Sequence, residues 1–552
     1  MPAKRFLFFF LKPQNTFLSA TLVVMSMMLF SRILGLVRYR LLAHFFGGDI
    51  TLLDSFIAAT LIPEGIFDIF IFGTISIAFI PVLSSLLAQK KEEDGWRLVT
   101  TLLVSGMVIF LIVSLAVFIF AEQVALVVAP GIIAKNEQAR ATIANLIRIM
   151  LVAQIFFVPG TILTGVFQTF RYFFIPALAP VLYNVGTILG IVFLADNFSI
   201  YAPAYGMVLG AILFLIVQLP LARNIGMKLT LHNLFFSGAW RVLSLSFPRT
   251  ITLVASRIND ALNIIFASLL APGAIVAFNF AQTLQLAPVG IFGASMAQAI
   301  LPTFSIIYGK KDLVLFKQVF LSTFHQLLFI ILPLSAILAV LRIPIVRLIY
   351  GASSFPWETT VLTGQILIIF SLSLFAQVLN LLLSRAFYAM HDAKTPLVVT
   401  LTSIIINISL SIFFILIKGF PVHFLAFSFT AASIFQAIFL FLLLAKKLGG
   451  FKLTEIISSS VKIVIASLLM AVALYIPMKL LDQLVFDTTR TVPLILLTGT
   501  AGLSGLLVYA FFAWLFRIGQ LTPVLSLLRR FGKIPKAREE VEVINGGART
   551  NP

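Results

Sequence analysis

The chain has 552 residues, 60% of them hydrophobic and only 11% charged, with a mean hydropathy of +1.10. That balance excludes a soluble globular domain, and apolar runs of about 20 residues recur along nearly the whole length, the pattern of a polytopic helical membrane protein. Cysteine is absent, which removes disulfide and thiol chemistry, and the net charge of +19 reads as Lys- and Arg-rich loops beside a membrane, not as a nucleic-acid surface.

Fourteen spans are predicted, at 15–45, 51–87, 97–121, 140–170, 176–195, 202–222, 240–270, 275–308, 316–341, 359–388, 396–417, 423–445, 456–478 and 492–516. The N-terminal Lys4, Arg5 and the apolar Phe6 to Leu11 are too short to span and have no small-residue cleavage site, so they read as an amphipathic approach to span 1. Span 1 carries Ser31, Arg32, Arg38 and Arg40 inside an apolar run. At 1.5 Å per residue Arg32 lies roughly 25 Å deep, where a guanidinium is costly unless it faces water, a partner or a substrate. Arg32 and Arg40 are about 80° apart around the helix and Arg38 points elsewhere, so the three serve one ligand only if span 1 bends near Gly35. Arg40 is near enough to the outer interface to snorkel. Spans 1, 2, 7 and 8 are longer than a bilayer needs and must tilt, bend or project.

Glu64 and Asp68 stand one turn apart on span 2. They form either a proton- or cation-responsive pair, with Asp54 on the same span, or a salt bridge to Arg32 or Arg38; the salt bridge is favoured. The segment from His391 to Pro396 is a tight turn in which Pro396 opens the next helix, and the scattered histidines have no metal-ligand spacing. There is no P-loop, so ATP hydrolysis is not indicated. With the N-terminus inside, inner loops hold Lys90, Lys91, Arg171, Arg223, Lys310, Lys311, Lys394, Lys446 and Lys447. Outer loops hold Lys135, Arg347, Lys418, Lys479 and Arg490, so both termini are expected in the cytoplasm. The tail from Arg517 contains an amphipathic piece, Val524 to Phe531, suited to the anionic inner leaflet.

The chain repeats itself. Ala78-Phe79-Ile80-Pro81 before Lys90-Lys91 matches Ala299-Ile300-Leu301-Pro302 before Lys310-Lys311, Arg171 and Asn184 match Lys394 and Asn407, and Ser31-Arg32-Ile33 matches Ser256-Arg257-Ile258. The offsets are 221, 223 and 225 residues, so two homologous halves in parallel orientation are expected. The division is an N-lobe at 1–225, a C-lobe at 226–448, an accessory pair of helices at 449–516 and a basic cytoplasmic tail at 517–552. Two such lobes form an alternating-access transporter, and Arg32 and Arg257 become symmetry mates facing one central cavity, with Arg249 two turns before Arg257.

These residues resemble the MurJ/MviN lipid II flippases of the MOP transporter superfamily. The resemblance is carried by Ser31-Arg32-x-x-Gly35-x-x-Arg38, Phe46-Gly47, Asp54-x-Phe56, Pro63, Ala78-Phe79-Ile80-Pro81 and Ala179-Pro180-Val181-Leu182-x-Asn184. Further matches are Gly290-Ile291-Phe292-Gly293 and, most specific, Arg385-x-Phe387-Tyr388-Ala389-x-His391-Asp392-x-Lys394-Thr395-Pro396. It implies a flippase, not an enzyme, that carries lipid II, the undecaprenyl-diphosphate-linked peptidoglycan precursor, from the inner to the outer leaflet of the bacterial plasma membrane. It also implies a protein acting as a monomer, with membrane lipids around it and no nucleic acid. By the same resemblance Arg32 and Arg38 bind substrate, and the lipid tail runs along spans 13 and 14. Guanidinium groups suit a diphosphate because they grip it bidentately.

The chain departs from the family at several positions. Phe67 and Asp68 stand where the family has arginines, and Ala281-Gln282-Thr283-Leu284 replaces an Ala-Asp-Arg-Leu, while Arg257 takes a position commonly Gln. Arg257 is therefore expected to supply the lost charge from another wall. The family's sodium site falls on Asn263, Asn407, Ser411 and Thr430, with Asp260 one turn away; oxygen ligands remain without the carboxylates. No cofactor is expected beyond coupling to Na+ or H+. Another polyprenyl-diphosphate-linked oligosaccharide, or a MATE-like ion-coupled export of drugs, is the alternative.

Overall fold

The computed structural model describes residues 17–74, 79–229, 237–351, 354–484 and 490–521. The N-terminal approach and the piece from Val524 to Phe531 lie outside the described residues. Fourteen long helices, numbered α1–α14, follow the predicted spans. They are α1 Phe17–Phe46, α2 Ile50–Thr74, α3 Glu92–Ile119, α4 Gln138–Thr169, α5 Phe174–Phe198, α6 Tyr201–Ile216 and α7 Ser237–Ser268. After these come α8 Ala274–Gly309, α9 Leu313–Val340, α10 Trp357–Ala389, α11 Lys394–Ser411, α12 His423–Lys447, α13 Leu453–Leu484 and α14 Thr491–Leu515. Among the described residues, twelve are long and apolar enough to cross a membrane. The other two, α1 and α7, are 30 and 32 residues long and carry Arg32, Arg38 and Arg257. The protein is thus an all-α integral membrane protein with about fourteen transmembrane helices.

Local chemistry fixes the helix ends. Glu92, Glu93 and Asp94 occupy the first turn of α3, where carboxylates complement the helix dipole. Asp312 caps α9 by accepting from the Leu315 N–H at 2.9 Å. Helix α8 is interrupted by a π-helical segment, Val289–Ala294, and α11 runs into another, Ile412–Ile417. Such one-turn widenings mark bends in otherwise regular helices.

At the end of the bundle that bears the paired lysines, helices stop in a left-handed residue. Lys90, Arg171, Lys311 and His391 have φ of 57°, 62°, 58° and 58°, and Gly226 and Gly449 have 70° and 76°. In each case the next N–H bonds five residues back, as in Lys91 to Leu86 O, Asp312 to Ile307 O, Tyr172 to Phe167 O and Asp392 to Phe387 O, closing a Schellman turn. These ends fall in pairs about 220 residues apart, the spacing of the sequence repeat.

The turn containing His391 is tied down further. Asp392 accepts from the Thr395 N–H at 3.0 Å, the Thr395 hydroxyl at 2.8 Å and Lys447 Nζ at 2.7 Å. Partial burial works to raise the Asp392 carboxyl, but the bonds from Lys447 and Thr395 outweigh it and hold the group below its ordinary value. A depressed carboxylate contributes stability above its unfolded pKa of about 3.9 and loses it as pH falls through the folded value. Because Lys447 is 38% exposed, the contribution is screened to about 0.5–1 kcal/mol. Asp392→Asn is therefore expected to lower the melting temperature in detergent at pH 7 by about 0.5–1 °C. The difference from the native chain should close below pH about 3.9; a constant difference at all pH values would contradict the assignment.

Small residues bring α5 and α6 into backbone contact. A Cβ on Gly186 or Gly190 would run into the backbone of Gly210 or Gly206, so two small-xxx-small faces interlock. The apolar core is divided unevenly. One cluster, which includes Phe46, Leu53, Ile147, Ile200, Phe280, Tyr350 and Phe355, joins early and late helices at the end away from the paired lysines. At the lysine-bearing end the core is split. Phe79, Trp96 and Val166 form one cluster with the start of α7, while Phe316, Phe320 and Leu444 belong to another that continues into α13 and α14. The accessory helices dock on α9, where the Tyr509 hydroxyl donates to Phe329 O at 2.8 Å.

Candidate functional site

Beside the divided core, chambers open mainly among helices of the first half, and the span 1 arginines Arg32 and Arg38 border them. Arg32 and Ser31 line a cavity of about 620 Å³ whose other walls include Phe67, Phe157, Gln168, Pro180 and Phe214. A smaller cavity of about 220 Å³ shares Phe67, Phe157, Pro180 and Phe214 and adds Glu64, Asp68 and Tyr183. Glu64 continues into a third, of about 60 Å³, with Arg38, Tyr39, Thr60 and Asn279. Shared walls thus link Arg32 to Arg38 through successive chambers.

The guanidinium of Arg32 lies across α8. A Cβ on Gly290 would stand 2.5 Å from Arg32 Nη2, so the absence of a side chain in the π-helical segment is what admits the arginine. Ser31 is held from α5, where Asn184 Nδ2 donates to Ser31 O at 3.2 Å and to its hydroxyl oxygen at 3.1 Å. The symmetry-related amide behaves alike: Asn407 Nδ2 on α11 donates to Asn259 Oδ1 on α7 at 2.7 Å. Arg38 faces the aromatic wall, with its guanidinium carbon 5.1 Å from the Tyr39 ring centre and 5.7 Å from that of Tyr183. It donates to the Tyr183 hydroxyl at 3.5 Å. Arg32 and Arg38 therefore serve different chambers along one helix.

The acidic residues are placed differently from the expected bridge to Arg32 or Arg38. Asp68 pairs with Arg257 Nη2, and Arg257 Nη1 is 3.6 Å from Asp260 Oδ2. The cation from α7 leans across to α2 because the departure at position 68 put a carboxylate opposite it. Glu64 makes no ion pair within 4 Å among the described residues and lies exposed to the chambers, acted on by the charges of both Arg38 and Arg257. Asp54 acts as a cap and makes no ion pair within 4 Å among the described residues. Its carboxylate accepts from the Gly273 N–H at 2.6 Å and the Val276 N–H at 2.8 Å, so α2 holds the N-terminus of α8.

Nearby contacts at this far end join the same two sets of helices. Arg40 Nη1 donates to Leu348 O at 2.5 Å, not out into the interface, and Lys135 Nζ donates to Leu270 O at 2.5 Å. The side chain of Arg249 lies outside the described residues.

The candidate cation site does not assemble as a charged cage. Asn263 and Asn407 are buried together, and Asn407 Oδ1 and the Ser411 hydroxyl have no protein partner among the described residues. Thr430, however, donates to Ile369 O at 3.1 Å, and Asp260 is engaged by Arg257. The oxygens that remain are neutral, a poor match to a hard cation that prefers carboxylates. No group of three or more His, Cys, Asp or Glu able to hold a metal occurs among the described residues. Residue patterns alone missed Gly290, Asn259 and Tyr183. Gly290 belonged to a motif already noted, but its role depends on the approach of a helix far away in sequence.

Comparisons with known proteins agree with this architecture. The family model described as lipid II flippase MurJ matches residues 42–493. The chain is 29% identical over 469 residues to the probable lipid II flippase MurJ of Buchnera aphidicola subsp. Acyrthosiphon pisum, covering 83% of this chain and 90% of the relative. It is 30% identical over 419 residues to the probable lipid II flippase MurJ of Thermotoga maritima, covering 76% and 83%. Among solved structures, a lipid II flippase MurJ in an inward closed conformation superposes with a TM-score of 0.74 at 25% identity, covering 90% of this chain and 98% of that one. An inward-facing multidrug resistance MATE transporter of the MOP superfamily shares the fold, with a TM-score of 0.63 at 14% identity over 75% and 94% of the two chains. With the family model spanning residues 42–493 and a relative 30% identical covering 76% of the chain, the chain belongs to the lipid II flippase MurJ family.

Proposed function

We propose that this chain moves lipid II from the inner to the outer leaflet of the bacterial plasma membrane by alternating access, as a monomer and without catalysing a covalent step. The observation that carries the reading is Arg32 in a cavity of about 620 Å³ that opens between helices of the first half, while Asp54 and its neighbours hold the opposite end shut. In this reading the lysine-bearing end and both termini are cytoplasmic, residues 1–225 and 226–448 move as two lobes, and 449–516 form an accessory pair guiding the polyprenyl tail. Arg32, Ser31, Arg38 and Arg257 are assigned the anion-binding role, and Arg249 joins them on the sequence alone. Protons are the better-suited coupling ion, since Glu64 is a carboxylate in the chamber wall with no ion pair within 4 Å among the described residues, whereas Asn263, Asn407, Ser411 and Thr430 offer sodium no carboxylate. Another polyprenyl-diphosphate-linked oligosaccharide is the second reading, favoured specifically by Asp68 and Phe67, which stand in the cavity wall where the family resemblance implies arginines.

The test is flipping of lipid II in proteoliposomes. Removing a charged hydrogen-bonding group worth about 1.5–3 kcal/mol should slow flipping at least about tenfold. Arg32→Ala and Arg257→Ala are each expected to do so while inserting normally. Native rates in both would overturn the reading, and transport of a different lipid-linked oligosaccharide in preference to lipid II would select the second.

A further inference from the structure

A second basic cavity lies outside the central chambers. It measures about 630 Å³ at the far end of the bundle and is lined by Arg40, His44, Arg347 and Arg490. Four separate segments supply it: the last turns of α1, the short helix Arg342–Tyr350, the start of α10 and the start of α14. No Asp or Glu lines it among the described residues. The first turn of α14 also faces it through Thr491 and contains no acidic residue, so the positive end of a 25-residue helix adds to the arginines. Arg347 is fixed over the Trp357 ring, 5.5 Å from its centre, and Arg40 spends one donor on Leu348 O and keeps the rest of its fork.

Arg40 and Arg347 are not brought to one cavity for packing alone, because they repel each other and neither makes an ion pair among the described residues. We propose that this cavity is an anion site for a phosphate or diphosphate group, distinct from the chambers around Arg32. Under the orientation argued above it lies at the headgroup level of the outer leaflet, but the binding chemistry holds in either orientation. The planar forks of Arg40 and Arg347 suit the paired oxygens of a phosphate, and the hydroxyl of Thr491 on the wall supplies a neutral donor.

Trp357 provides a local reporter. The chain has four tryptophans, so fluorotryptophan labelling gives four fluorine resonances, and Trp357→Phe identifies the one in this cavity. In phosphatidylcholine nanodiscs, titration with pyrophosphate is expected to shift the Trp357 resonance saturably. Arg347→Gln and Arg40→Gln should each weaken the midpoint at least about tenfold, the loss of one charge-assisted contact. Arg347→Lys should recover part of it, and Arg32→Gln, in the other cavity, should leave it unchanged. A second arm omits pyrophosphate and adds phosphatidylglycerol; the same shift there assigns the phosphate to a lipid headgroup, and a shift with pyrophosphate alone assigns it to a soluble anion. No saturable shift in either arm, a shift indifferent to both Arg40→Gln and Arg347→Gln, or one abolished by Arg32→Gln overturns the proposal. Because pyrophosphate is the probe, a failure of lipid II transport leaves this result untouched.

Discussion

Asp68→Arg is expected to abolish transport, and Asp68→Arg combined with Arg257→Asp to restore a large part of it. The single change sets two guanidinium groups face to face across the α2–α7 contact, where Arg257 now pairs with Asp68. Arg257 remains 35% exposed, so the attraction is partly screened, and its loss is worth about 1–2 kcal/mol, with repulsion adding to it. Asp260, 3.6 Å from the other Arg257 nitrogen, limits the collapse by keeping one partner in place. Lipid II flipping in proteoliposomes reads out each variant. The same reversal pairing Asp68→Arg with Arg32→Asp should restore nothing, because Arg32 lies against Gly290 and does not touch position 68. Rescue by the Arg32 exchange, or none by the Arg257 exchange, would contradict the assigned pair.

Asp54→Ala should release the far end of the bundle. The carboxylate satisfies two backbone N–H groups of α8 that helix geometry leaves without partners. It is 2% exposed, so water cannot replace it while the end stays shut. Losing both charge-assisted bonds costs the closed arrangement roughly 3–5 kcal/mol, enough to move a two-state population by about a hundredfold or more. The native chain contains no cysteine, so spin labels can be placed at Asp49 and Ala271 without competition. Their separation should lengthen or broaden in Asp54→Ala and only partly in Asp54→Asn, which keeps one acceptor. An unchanged distance distribution in Asp54→Ala would mean that Asp54 does not hold this end closed.

Much of this organisation was legible in the residues. Each helix must present apolar side chains to lipid over a fixed length, so the runs mark the spans, and a guanidinium inside such a run announces itself. The turns at Lys90, Arg171, Lys311 and His391 coincide with the repeat because basic loop residues also close the helices. What the residues could not specify was who meets whom. Asp68 and Arg257 are 189 positions apart, and the choice between Arg32, Arg38 and Arg257 was decided by how α7 leans on α2. Asp54 read as a charge awaiting a cation because its true partner is backbone, which carries no sequence signal. The cavity of Arg40 and Arg347 was invisible for the same reason: each of its cations is ordinary at a membrane interface, and only the fold collects them.

The glycine contact between α5 and α6 has a mechanical meaning. Backbones that touch at Gly186, Gly190, Gly206 and Gly210 have no compressible side chains between them to slide or tilt upon. These two helices are therefore a stiff spar, transmitting any rocking of the first half without absorbing it. Deformation must then collect in softer places, foremost the widened turn of α8, so that the segment cradling Arg32 is also the one that yields.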